Sequence, residues 1–352
     1  MSGQSPQGRN SERIKRRTRR LTYGVALGLL VVVGAVFLAV SLLTQVGRET
    51  SLGVPQGPEK PLRPLPQEIV YVARNAALVA FIDVRGVMES EFGRTLASSQ
   101  HLADARARFL DEAGIDIYSE LDSLIVVAFA SGTGRPLMLA RGRLTSAPLE
   151  RLVHQGMAVA WEHGGVRIFT HDDISVAYVT PDLALVGPPD SVRNAVDAEA
   201  AHNGIATDAE VMRLVASRRH DAAWLVARAA SFSGRQTLPS VATPFQSIEW
   251  LSASGDVAQT LHGVVQARAR SDNVASDLRR TIAGLIILGK LRWRRDPEIG
   301  RTLDSLRLSL DGKTIWLTFA VSGQFVEDLM ALSRRRVSSG ETRGGCPLEK
   351  KK

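Results

Sequence analysis

Ala158 to Gly187 read AVAWEHGGVRIFTHDDISVAYVTPDLALVG, and this stretch decides the fold class. Ala158 to His163, Val166 to His171 and Ile174 to Val179 have the alternation and residue types of half-buried strands. Gly164-Gly165 and Asp172-Asp173 separate them, dipeptides suited to two-residue turns. Strands joined this tightly run antiparallel. In that register Glu162 faces Arg167, an opposite-charge cross-strand pair contributing about 0.2–1 kcal/mol. The meander continues through Leu183 to Val186 into a helix near Pro189 to Glu199. A helix over Asp208 to Ser217 and a strand over Ala222 to Ala229 come next, then a loop rich in Ser, Thr and Pro.

On either side of this meander the chain echoes itself. Leu121-Asp122-Ser123-Leu124 opens LDSLIVVAFASGTGRPLMLARGRLTSAPLERLV, and Leu303-Asp304-Ser305-Leu306 opens LDSLRLSLDGKTIWLTFAVSGQFVEDLM. Each reads strand, tight turn, strand, helix, with Gly132 and Gly134 at the first turn and Asp311-Gly312 at the second. Upstream of the first lies a strand over Ala77 to Val84 and a helical segment over Gly86 to Ala113 closed by Gly114. Upstream of the second lies a strand over Leu261 to Ala269 and a helix from a Ser271 or Asp272 cap through Leu291. The expectation is an α+β region of two similar β-α-β-β-α, ferredoxin-like halves, residues 68–204 and 205–333, with antiparallel sheets.

The charge of the chain is +8, from 44 Lys+Arg against 36 Asp+Glu. Residues 1–20 carry +6 and residues 334–352 carry +5, so the intervening 313 residues sum to −3. A nucleic-acid face on the folded region is therefore not expected. A single cysteine, Cys346, excludes a disulfide-stapled scaffold.

Between Arg20 and Arg48 there is no charge, and Leu21 to Leu43 reads LTYGVALGLLVVVGAVFLAVSLL. At about 1.5 Å per residue such a run reaches roughly 34 Å, enough to cross a hydrocarbon core of about 30 Å. Residues 21–46 are thus expected as an uncleaved transmembrane helix, with a cleavable signal peptide as the competing reading. Arg13, Lys15, Arg16, Arg17, Arg19 and Arg20 would hold the 1–20 tail in the cytoplasm and place the rest outside it. Arg outnumbers Lys 37 to 7, which fits a bacterial source of high GC content, so the expected location is the bacterial inner membrane. Residues 47–67 carry Pro55, Pro58, Pro61, Pro64 and Pro66 and read as a semi-rigid stalk; residues 334–352 read as a basic tail with little to bury. The short run Ile282 to Leu288 reads as a buried helix face.

The spacings that specify familiar chemistry are missing: no phosphate-binding glycine loop ending in Lys-Ser/Thr, no His-Glu-x-x-His, no Cys-x-x-Cys, no Gly-x-Ser-x-Gly. The best metal candidates are His171, Asp172 and Asp173 with Glu162 and His163, because imidazole and carboxylate together suit zinc or iron. His163 and His171, however, fall at opposite ends of one strand, about 17 Å apart at roughly 3.3 Å per residue, so turn residues are the simpler account. Glu89 with Glu91 and Asp111 with Glu112 suit a solvated helix face better than acid-base work. Trp161, Trp224, Trp250, Trp293 and Trp316 read as core or rim aromatics. Arg292-Trp293-Arg294-Arg295 could meet an anionic partner, although a helix C-terminus favours cations in any case.

Leu78 to Val84 (LVAFIDV), Gly114 to Asp116 (GID), Leu121 to Leu124 (LDSL) and Leu183 to Gly187 (LALVG) resemble stretches of bacterial single-pass membrane-tethered proteins with a large exported α+β domain. The likeness covers most of Glu68 to Ser333. It implies no known activity, so no functional residue is carried over.

The functional expectation is a membrane-anchored extracytoplasmic binding, scaffold or sensor protein without catalysis and without a cofactor. Its partners would be the lipid bilayer and an envelope protein or a second copy. The alternatives are an exported hydrolase with an unrecognised site, and a lipid- or partner-binding role for the basic N-terminal tail.

Overall fold

The structure, a computed structural model, describes residues 64–98, 103, 106–107, 116, 118–130, 135–228, 247–293 and 297–326. The strands are β1 (Ala76–Asp83), β2 (Leu121–Phe129), β3 (Leu137–Gly142), β4 (Val159–His163), β5 (Val166–His171), β6 (Ile174–Thr180), β7 (Leu183–Gly187), β8 (Ala223–Arg228), β9 (Ile248–Val257), β10 (Thr260–Ala269), β11 (Arg307–Asp311) and β12 (Thr314–Ser322). The helices used below are α1 (Val84–Glu89), α2 (Glu91–Ala97), α3 (Ala147–His154), α4 (Pro189–Ala200), α5 (Ala209–Ala216), α6 (Asp272–Arg292) and α7 (Pro297–Ser305).

All twelve strands form one antiparallel sheet, ordered β11-β12-β10-β9-β8-β1-β2-β3-β7-β6-β5-β4. The meander lies at one edge in the expected register, with Glu162 opposite Arg167. Gly164 and Gly165 turn with φ of 58° and 76°, the left-handed backbone that a two-residue hairpin requires. Arg167 nevertheless turns its guanidinium to Glu150 of α3, 3.0 Å away, rather than to Glu162.

Two cores lie on opposite faces of this sheet, and β1 serves both. Val79 packs with Ile125, Leu139, Leu185 and Trp224 beneath α4 and α5, whereas its neighbour Ala80 packs with Phe92, Leu225, Leu261 and Phe319 on the side of α2, α6 and α7. Strand alternation explains the division, since successive side chains point to opposite faces. Glu68 is only 3% exposed. It accepts from Arg141 Nε at 2.9 Å and Ser123 Oγ at 3.0 Å, and so ties the 3-10 turn Gln67–Tyr71 to β2 and β3.

The expectation of two similar ferredoxin-like halves is corrected by this topology. The first LDSL word opens β2, while the second lies at the end of α7 and just beyond it. The hairpins differ as well: β2, the leading strand of its hairpin, pairs with β1, whereas β12, the trailing strand of its hairpin, pairs with β10. The physical reason lies in β9. Its sequence IEWLSASGDV is too rich in small polar residues to read as a strand, yet it bridges β10 to β8, and β8 pairs in turn with β1 of the first half, which makes one sheet of the two. The segment expected as one helix from Gly86 breaks at Ser90, whose hydroxyl caps α2 by accepting from Gly93 N at 2.9 Å. Gly114, Gly132 and Gly134 lie outside the described residues.

The expected transmembrane helix, and with it the single-pass inner-membrane placement and extracytoplasmic domain, is corrected too. Among the described residues no helix is long and apolar enough to cross a membrane. The longest, α6, carries Asp272, Asp277, Arg279, Arg280, Lys290 and Arg292. Residues 21–46, on which that expectation rested, lie outside the described residues, as do Arg13, Lys15, Arg16, Arg17, Arg19, Arg20 and Cys346.

Candidate functional site

The sequence-derived metal candidates do not converge. His171 ends β5 with Nδ1 against the Met157 carbonyl, Asp172 occupies a left-handed turn position with φ of 53°, and Asp173 pairs with Arg135 at 2.5 Å. His163, at the far end of the hairpin, meets Asp197 of α4 at 2.7 Å. Among the described residues no group of three His, Cys, Asp or Glu could hold a metal ion.

Acid-base chemistry finds no better footing. Asp116 is held below the usual carboxylate range chiefly by its hydrogen bond from Arg106. Asp182 is held low chiefly by Thr180 and then by Arg141. For Asp208 burial acts upward, and the Val211 amide and the Arg228 charge outweigh it. These carboxyls stay ionised at neutral pH and cannot donate a proton. Burial raises the Tyr71, Tyr118 and Tyr178 phenols, which keeps them neutral.

Three places remain where the fold gathers unusual groups. The first is a buried polar knot on the face of the sheet opposite α6. Arg218, 7% exposed, donates to Gln266 Oε1 at 2.5 Å and lies 5.3 Å from the Trp316 ring centroid. Nearby, Ser254 Oγ and Trp250 Nε1 are buried without a hydrogen-bond partner among the described residues. Burial pushes the Arg218 guanidinium down, with Asp221 opposing, yet arginine remains charged at any ordinary pH. Arg218 is buried and already engaged by Gln266 and the Trp316 ring, which are themselves only half-buried.

The second is an open groove lined by Arg85, Met88, Glu89, Tyr118, Ser119 and Arg143. Its cations are already engaged: Arg85 pairs with Asp122 and Arg143 donates to the Ser119 carbonyl at 2.5 Å.

The third is the outward face of α6. Ala275, Leu278, Ile282 and Gly289 face the core, as the apolar periodicity requires. Leu288 and Leu291, by contrast, are 53% and 63% exposed. The run read from sequence as a buried face is thus divided: Ile282 is buried and Leu288 is not. Basic groups frame the exposed leucines. Lys290 reaches Asp304 at 2.8 Å, Arg280 reaches Asp277 at 3.2 Å, and Arg292 lies 5.8 Å from the Trp293 ring centroid. Arg292 has no carboxylate partner among the described residues. The sequence signal for this surface was the Arg292-Trp293 cluster together with an apolar run too long for one buried stripe.

The molecule is therefore an α+β protein organised on one continuous antiparallel sheet, with an exposed apolar and basic helix face. No family model and no curated protein matches the chain. Among solved structures it is similar to crystal form III of TP0453, with 9% identity and a TM-score of 0.44 over 74% of this chain and 96% of that one. It is likewise similar to crystal form IV of TP0453, with 10% identity and a TM-score of 0.44 over 77% of this chain and 97% of that one.

Proposed function

We propose that the protein is a non-catalytic binding module that takes up an acidic, amphipathic segment of another protein on the outward face of α6. The observation that carries this reading is the pair Leu288 and Leu291, one helical turn apart and exposed beside Arg292. Adjacent exposed leucines on a long helix are the kind of apolar surface that marks interaction sites. Arg292, which has no carboxylate partner among the described residues, favours a partner whose flanking charges are negative, through complementarity that governs specificity and encounter rate.

The test uses a fluorescein-labelled helical peptide with leucines at i, i+3, i+4 and i+7 and glutamates elsewhere, titrated against the full chain by anisotropy. Saturable binding is expected, weakened at least about tenfold by the combined substitutions Leu288→Ser and Leu291→Ser, a loss of about 1.4 kcal/mol or more. Absence of binding, or equal binding by the substituted chain, overturns the proposal.

A further inference from the structure

The meander ends the sheet in an open edge. β4 pairs with β5 on one side and, among the described residues, with no strand on the other. The two-residue turn at Gly164-Gly165 makes His163 and Val166 the closing hydrogen-bonded pair. Bonded pairs then alternate along the ladder, so His163, Trp161 and Val159 spend their backbone groups on β5. Ala160 and Glu162 point theirs outward, where no backbone partner meets them among the described residues.

This edge lacks the usual protection. The strand holds no proline or lysine, its pairing with β5 carries no bulge, and Glu162 is its only acidic group. Val159 is 66% exposed and Met157, just before the strand, is 41% exposed. The other edge is different: β11 has Arg307 and Asp311 at its ends, and α6 packs against it.

We infer that β4 pairs antiparallel with β4 of a second copy about a two-fold axis at Trp161, joining two sheets into one. The register follows from the alternation. With Trp161 on the axis, Ala160 of one copy faces Glu162 of the other, and both have outward N–H and C=O groups to exchange. Sliding the strands to set Glu162 against Glu162 puts like charges in a close pair, which is destabilising. Sliding the other way sets Ala160 against Ala160 and asks for Ala158, whose N–H already donates to the Leu152 carbonyl at 3.3 Å. The Trp161 register alone uses both outward residues without either conflict. It also sets the two Trp161 side chains across from each other and brings exposed Val159 beside the partner's His163.

An interface of one short strand per copy is small, so association in the range of about 10–100 µM is expected. Sedimentation equilibrium of the full chain from about 1 to about 200 µM should give a monomer–dimer equilibrium. Ala160→Pro removes an outward N–H while leaving the β5 ladder intact, an edge position where proline is tolerated. It should abolish the dimer and keep the wild-type circular dichroism spectrum. If Ala160→Pro fails to fold, Val159→Lys, a change at an exposed side chain, should weaken dimerisation at least about tenfold. Glu162→Gln should shift the dissociation constant by less than about threefold; strengthening by about tenfold or more would place Glu162 on the axis and overturn the register. A wild-type chain that stays monomeric throughout, or folded Ala160→Pro or Val159→Lys variants that dimerise like wild type, sinks the inference.

Discussion

Phe81 of β1 lies directly opposite Trp224 of β8, and their rings stack with centroids 5.6 Å apart and planes 21° from parallel. This contact sits at the seam where β1 and β8 fuse what the sequence presents as two halves. Trp224 is almost wholly buried, so Trp224→Ala should cost about 3–5 kcal/mol. Because both cores meet at β1, unfolding followed by far-ultraviolet circular dichroism and by tryptophan fluorescence should remain a single coincident transition. Two separated transitions in the wild-type chain would show that the halves are independent.

Glu68 is the buried end of an ion pair whose other member, Arg141, also reaches Asp182. Removing the carboxylate leaves the partly buried Arg141 guanidinium with only the half-exposed Asp182 as an ion-pair partner. Glu68→Ala should lower stability by about 3 kcal/mol, whereas Asp182→Ala, on a half-exposed partner, should cost under about 1 kcal/mol. Urea unfolding of the two variants side by side checks the ratio.

At Gly263 the tip of the Phe319 ring fills the space a side chain would take, and an added Cβ would meet its Cζ at 2.1 Å. Gly263→Ala must therefore displace a core ring. A loss of about 1–3 kcal/mol is expected from overpacking, measurable by denaturant midpoint. Gly300, with open space around it, provides the control: Gly300→Ala should not be destabilising, because alanine is the better helix former inside α7.

Acid should unfold the protein through its depressed carboxyls. Asp116, lowered by Arg106, and Asp208, held down by the Val211 amide and Arg228 against the upward effect of burial, bind protons less readily folded than unfolded. Their contribution is fully present above the unfolded value of about 3.9 and is lost as pH falls through the lower folded values. Stability should accordingly be level from about pH 7 to about pH 5 and decline below about pH 4. Asp208→Asn keeps the α5 cap acceptor but loses the charge facing Arg228, so it should flatten the acid limb while costing less at neutral pH than Asp208→Ala.

Several elements were legible because their signals are local. The meander from β4 to β6 and the cap at Ser271 follow from alternation, turn chemistry and a side-chain acceptor beside orphan amides. β9 was not, because Ser252 and Ser254 are buried by neighbouring strands without being apolar, and no window of residues records that. The repeated LDSL word misled for a related reason: four residues describe a local preference, and the same word opens a strand in one place and ends a helix in the other. The charge pattern around α6 showed that a basic cluster existed, but only packing revealed that Leu288 faces outward while Ile282 faces in.

The amino-acid order alone determined most strand and helix positions, the antiparallel sense of the meander and the near-neutral charge of the central region, since each depends on residues within a few positions of one another. Which strand lies beside which, and therefore whether there are two sheets or one, was decided by long-range pairing. Val79 against Val226 and Val265 against Leu317 join segments whose adjacency no local pattern encodes, because antiparallel partners are chosen by the faces they can bury together.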